Sequence, residues 1–117
     1  MTGNFSIIKF NEWDFVNHYW ETSRAWGHEC HLLKNGSEMS MARARYYNRT
    51  WEKYTYQSVM LEAVYNARKD HLDHYIEAYK SNNDIKRFKA GQKKQIEEQF
   101  DKEYPIYNEL ETFVKER

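Results

Sequence analysis

The chain has 117 residues, enough for one domain around one core. It carries 18 basic and 18 acidic side chains, and this balance argues against a dedicated nucleic-acid binder, whose footprint is a basic excess. The single cysteine, Cys30, excludes an internal disulfide, and the absence of any run near 18 apolar residues excludes a membrane-spanning helix. The N-terminus lacks a basic segment followed by a long apolar run, so the expected location is the cytoplasm. A net charge of zero gives little protection from self-association, and a homodimer is compatible with it. Aromatic residues make up 17% of the chain. Each buries ~150–250 Å², so a small core is within reach. Tyrosine, present ten times, also suits contact surfaces.

Residues 5–10, Phe-Ser-Ile-Ile-Lys-Phe, are a short run of β-formers and predict an edge strand. In residues 11–20, Trp13, Val16 and Trp20 recur at helical spacing, which predicts a short helix with Asn11 as its cap. Asn35-Gly36 is the preferred two-residue turn of a β-hairpin, because both positions need positive φ. Pairing Lys34 with Ser37 and continuing without interruption places Trp26, His28, Cys30, Leu32, Met39, Met41, Arg43, Arg45 and Tyr47 on one face. Cys30, Leu32, Met39 and Met41 should then pack on a helix. A one-residue slip would exchange every side chain between faces.

Thr50 is the expected N-cap of the longest helix, with Trp51 at its first position and Glu52 in its first turn. The helix should run to about Ser81, where Asn82-Asn83 ends it. Tyr56, Val59, Met60, Ala63, Val64, Ala67, Leu72, Tyr75, Ile76 and Tyr79 form its apolar stripe. Asp84 is read as the cap of a second helix, about residues 85–102, in which Gly91 is a weak point. Its lysines and arginine precede its acids, the reverse of what the helix dipole favours. Pro105 suits the first turn of a last helix, 105–116, with Ile106, Leu110, Phe113 and Val114 facing inward.

Three constellations bear on chemistry. His28, Cys30, His71 and His74 would make a zinc site only if the long helix brought them together, and their spacing matches no standard ligand pattern. Cys30 beside a histidine has the elements of a nucleophile pair, but no orienting acid or oxyanion-hole glycine accompanies it. Neither a catalytic residue nor a cofactor is expected. The third is basic and aromatic: Trp26, Arg43, Arg45, Tyr47, Arg49, Trp51 and Tyr54 around the strand-to-helix junction. Arginine stacks on aromatic rings, and such patches bind phosphates, single strands or acidic protein surfaces. The bland alternative is a Trp51 locked in the core with arginines paired to nearby acids. Lys86, Arg87, Lys93 and Lys94 add a second basic group, which is equally readable as a solvated face.

The block from Arg45 to Val59, with Ser23-Arg24-Ala25-Trp26-Gly27-His28 and Asn35-Gly36 upstream, resembles a segment of small bacteriophage and mobile-element proteins over about residues 22–65. The resemblance implies a small phage-encoded accessory protein of the kind that disables a host factor, CRISPR nucleases included.

The resulting expectation is one α+β domain over residues 1–117. A β-hairpin, extended by the N-terminal strand to three strands, packs on one long helix and is followed by two shorter helices. The function expected is non-enzymatic: binding and inhibition of a bacterial defence protein, an anti-CRISPR role being the most specific version. The partner would be a host protein, a CRISPR effector or its nucleic-acid complex, in the bacterial cytoplasm. The alternative is a small nucleic-acid-binding accessory protein using Arg43, Arg45, Arg49 and the basic residues of 86–94.

Overall fold

Strand alternation governs the first half of the chain and helical periodicity the second. The computed structural model describes the main chain of residues 2–47 and 56–117, and the side chains of residues 5–44 and 56–117. Four strands follow one another: β1 (Thr2–Phe10), β2 (Trp13–Glu21), β3 (Ala25–Lys34) and β4 (Ser37–Tyr47). Three helices complete the chain: α1 (Tyr56–Asn82), α2 (Gln92–Glu103) and α3 (Ile106–Lys115). The strands form an antiparallel meander in the order β1-β2-β3-β4. The helices lie on one face of the sheet, and the fold is α+β.

The short helix expected over residues 11–20 is instead β2, so the sheet has four strands and not three. Trp13, Phe15 and Asn17 are buried toward the helices, while Val16 and His18 lie between them on the other face. The helical spacing of Trp13, Val16 and Trp20 is incidental. A segment this rich in aromatic and β-branched residues gains more from a half-buried pleated surface. Asn11 is not a helix cap but takes the left-handed conformation, φ 54°, in the two-residue turn between β1 and β2. The two hairpin turns are tied together where the Asn35 N–H donates to the Glu12 carbonyl at 2.9 Å.

The Asn35-Gly36 turn forms as expected, both residues at positive φ. The uninterrupted pairing does not. Lys34 faces Ser37 and Leu33 faces Glu38, but Leu32 faces Ser40, so Met39 is an extra residue in a β-bulge. From there to its end, β4 presents the opposite faces. Ala42 joins Cys30 and Leu32 against the helices, whereas Met39 and Met41, expected to be buried, are 41% and 40% exposed.

α1 supplies the largest part of the helix layer and lies chiefly across β3 and β4. Val59, Met60, Ala63, Val64, Ala67, Leu72 and Ile76 are buried, as the periodicity predicted. The predicted cap, Thr50 with Trp51 and Glu52, lies outside the described residues. Ser40 Oγ donates to the Ala63 carbonyl at 2.6 Å, and Asn66 Nδ2 to the Met41 carbonyl at 3.0 Å, so α1 is fastened to the outer strand of the sheet. Asn17 lies wholly inside the core, its amide directed at Met60 Sδ at 3.5 Å.

The second helix begins later than the charge pattern implied. Asp84 (φ 51°) and Gly91 (φ 79°) both adopt left-handed conformations that an α-helix cannot contain, so residues 83–91 are a connection and α2 starts at Gln92. Ile96 and Phe100 are its buried residues. Phe100 contacts the rings of His71, Tyr75, Tyr104 and Tyr107. Beside it, Arg68 grips the Asp101 carboxylate through both oxygens, at 2.8 and 3.0 Å. α3 matches its predicted bounds, with Pro105 immediately before it and Tyr107, Leu110 and Val114 buried.

Candidate protein-binding surface

The face of the sheet turned away from the helices carries no helix among the described residues. Backbone register places Phe5 and Ile7 of β1, Val16, His18 and Trp20 of β2, Gly27, Glu29 and His31 of β3, and Met41 and Arg43 of β4 on this side. At the β1 margin, Phe5 and Ile7 are 71% and 59% exposed. Phe5 stacks flat on His18, with centroids 4.2 Å apart. Trp20 lies across Gly27, where an added Cβ would be 2.6 Å from its ring.

An ionic track crosses the middle of the face. Arg43 sits over the Trp20 ring at 5.6 Å and its Nε contacts Glu29 at 2.9 Å. Glu29 also receives His31 Nε2 at 2.8 Å, and the other ring nitrogen of His31 bonds to Glu38. Glu38 pairs with Leu33 ahead of the bulge and lies diagonally across from His31 on the same face. The hydrogen bonds to Glu38 and Glu29 push the His31 pKa up, against the lowering effect of burial. Burial opposes ionisation of Glu29, but the hydrogen bonds from His31 and Arg43 and their charges hold it below the usual carboxylate range.

A histidine with a raised folded-state pKa stabilises the fold below its unfolded pKa, near 6.5, and that contribution fades as the pH rises through the folded value. An NMR titration should therefore place the His31 midpoint above 6.5, and Glu38→Gln should move it down toward that value. A midpoint unchanged by Glu38→Gln would show that the contact does not govern the ring's charge.

The residues singled out in the sequence separate into groups. Arg43 lies on the open face, but Trp26 does not. Trp26 shares the helix side with His28 and Cys30 through the alternation of β3, and its ring lies 6.3 Å from Tyr19 and 5.8 Å from His28; the shifted register moves Arg43, not Trp26. The side chains of Arg45 and Tyr47, and Arg49, Trp51 and Tyr54 entirely, lie outside the described residues. Lys86 and Arg87 are in the connection before α2, and Lys93 and Lys94 are in its first turn. All four are exposed and enter no ion pair among the described residues. Lys93 borders a groove with Leu72, Asp73 and Ile76 of α1, on the helix layer and not on the open face.

The metal-site and nucleophile readings find no supporting geometry. His28 and Cys30 face the helices from β3, with burial lowering the His28 pKa. His71 Nδ1 is hydrogen-bonded to the Tyr107 hydroxyl at 2.7 Å, and His74 Nδ1 to the Asp70 carbonyl at 2.8 Å. Among the described residues, no group of three or more His, Cys, Asp or Glu side chains is placed to hold a metal ion. Cys30 is fully buried, and burial pushes its thiol up to about 12, which leaves almost no thiolate to act as a nucleophile.

Sequence reasoning missed Trp20, Glu29, His31 and Glu38 as a group. Two signals were present: the alternation of β2, and the acid–histidine alternation of Glu29 and His31 along β3. No helix of the described chain is long and apolar enough to cross a membrane. No protein-family model, no curated protein and no solved structure matches this chain.

Proposed function

We propose that this chain is a non-enzymatic binding protein that uses the open face of its sheet to dock a protein partner. The observation that carries the reading is the makeup of that face: exposed Phe5, Ile7 and Met41 flank the ionic track Arg43–Glu29–His31–Glu38. Apolar anchors beside oriented charges of both signs fit the mixed chemistry of a protein surface better than the uniform negative charge of a nucleic acid. The more specific form, inhibition of a bacterial defence protein such as a CRISPR effector, is supported by the resemblance of residues 22–65 to small phage proteins. On this reading the chain acts by occluding a surface of its target in the bacterial cytoplasm.

The test is affinity capture from nuclease-treated bacterial lysate with three baits: wild type, Arg43→Glu, and Lys93→Glu/Lys94→Glu. A partner held by the open face should be lost from the first variant, with roughly 30-fold weaker binding if Arg43 is a hot spot, and kept by the second. Circular dichroism verifies that Arg43→Glu still folds. Loss from the Lys93/Lys94 variant alone would refute the open-face reading.

A second reading rests on Lys86, Arg87, Lys93 and Lys94, which are exposed and free of acidic partners among the described residues. They suit nucleic-acid phosphates, and binding through them would weaken steeply with salt. Capture that disappears on nuclease treatment, and is lost in the Lys93/Lys94 variant, would favour it.

A further inference from the structure

The two edges of the sheet are protected very differently. β4 carries a bulge, and α1 is fastened to it by Asn66 on the Met41 carbonyl and by Ser40 on Ala63. β1 has none of these devices. It runs nine residues without proline or bulge and contains one charged side chain, Lys9. Among the described residues it hydrogen-bonds to β2 alone. An unguarded, largely apolar edge of this length is a template for another strand. Phe5 and Ile7, the two most exposed of the large apolar residues, both sit on it.

The register shows which main-chain groups are free. Phe10 and Trp13 flank a two-residue turn, so they form a hydrogen-bonded pair, and such pairs alternate along β1. The groups of Ser6 and Ile8 therefore point to β2. Those of Gly3, Phe5, Ile7 and Lys9 point outward.

We propose that β1 pairs antiparallel with β1 of a second copy of this chain, producing a continuous eight-stranded sheet. Ser6 is the midpoint of the nine-residue strand, so a two-fold axis there lets every residue of β1 find a partner. In that register Phe5 faces Ile7 of the second copy, adding a cross-strand apolar pair on each side of the axis. Lys9 faces Gly3 of the second copy, so the strand's only charges are kept apart and no like charges oppose. A strand of mixed or repeated charge would not be self-complementary in this way. α1 lies across β3 and β4, away from the seam, and α3 meets the end of β1 on the helix side, where Phe113 lies 4.7 Å from Phe10. The seam is roughly 30 Å long. It buries less than the ~800 Å² per partner of a standard interface, so the dimer is reversible and concentration-dependent. This inference concerns the strand edge and stands independently of what the open face binds.

Cysteine cross-linking tests both the dimer and its register. Ser6→Cys places two thiols across the axis in a non-hydrogen-bonded pair, where Cα atoms lie ~4.5 Å apart, within disulfide range. Lys9→Cys places them about 20 Å apart. The native Cys30 is buried and should stay silent. Mild oxidation of folded protein should yield a covalent dimer from Ser6→Cys and little from Lys9→Cys. Sedimentation equilibrium of the wild type should show monomer–dimer exchange. Ile7→Pro, which removes an outward-pointing N–H and spares the β1–β2 bonds, should raise the dissociation constant at least tenfold while circular dichroism is retained. Equal cross-linking at both positions, or a wild type that stays monomeric with no Ser6→Cys dimer, would overturn the proposal.

Discussion

Replacing Phe100 with alanine is expected to destabilise the protein by about 3–5 kcal/mol, a large share of the ~5–15 kcal/mol that holds a domain together. Phe100 is fully buried where α1, α2 and α3 meet. It contacts His71 and Tyr75 from α1 and Tyr107 from α3, with the Arg68 guanidinium 5.7 Å from its centroid. Because α2 buries only Ile96 besides, removing the ring leaves a cavity and deprives the helix of its main anchor. The Arg68–Asp101 pair cannot compensate, since both side chains are partly exposed and such pairs contribute little. Urea denaturation followed by circular dichroism measures the cost. A loss near 1 kcal/mol would mean that α2 is held by something other than this ring.

Gly27→Ala should be nearly as damaging, at about 3 kcal/mol, the upper part of the range for overpacking. Alanine ordinarily favours a strand over glycine by ~0.5–1 kcal/mol, so a neutral site would show the opposite sign. Here an added Cβ would lie 2.2 Å from the Ala44 carbonyl oxygen and 2.6 Å from the Trp20 ring. The carbonyl belongs to the neighbouring strand, so β3 and β4 must separate to admit the methyl. A double-mutant cycle distinguishes the two collisions. Trp20→Ala in the Gly27→Ala background should relieve part of the clash, and the contact with the Ala44 carbonyl should leave the rest. Thermal melts that place Gly27→Ala at or above wild type would show that the strands yield readily at this point.

These two sites differ in how far the sequence foretold them. Phe100 stood in the predicted second helix as one of its few apolar residues, and its burial was foreseeable. Gly27 was not distinguishable, because its role comes from Trp20, which belonged to a segment read as helical. The open face was lost for the same reason, compounded by the bulge. With Met39 counted as an ordinary strand residue, Arg43 shared a face with Trp26 and Cys30, opposite to Glu29 and His31. With Met39 extruded, Trp26 stays with Cys30 toward the helices, and Arg43 crosses to join Glu29 and His31. Neither Met39 nor its neighbours carry a residue type that marks a bulge.

The sequence by itself determined the α+β class, the Asn35-Gly36 hairpin, the stripe along α1 and the extent of α3. Each of these is a local matter: a turn whose φ values few residues accept, or a periodicity repeated often enough to outweigh chance. Only the tertiary structure decided that residues 13–21 form a strand, that β4 changes register at Met39, and that α2 starts after Gly91. A strand's faces are assigned by what covers them, and a one-residue shift reverses the assignment for every residue beyond it. That is why the residues of the candidate surface, unlike the helices, became visible only when the sheet was assembled.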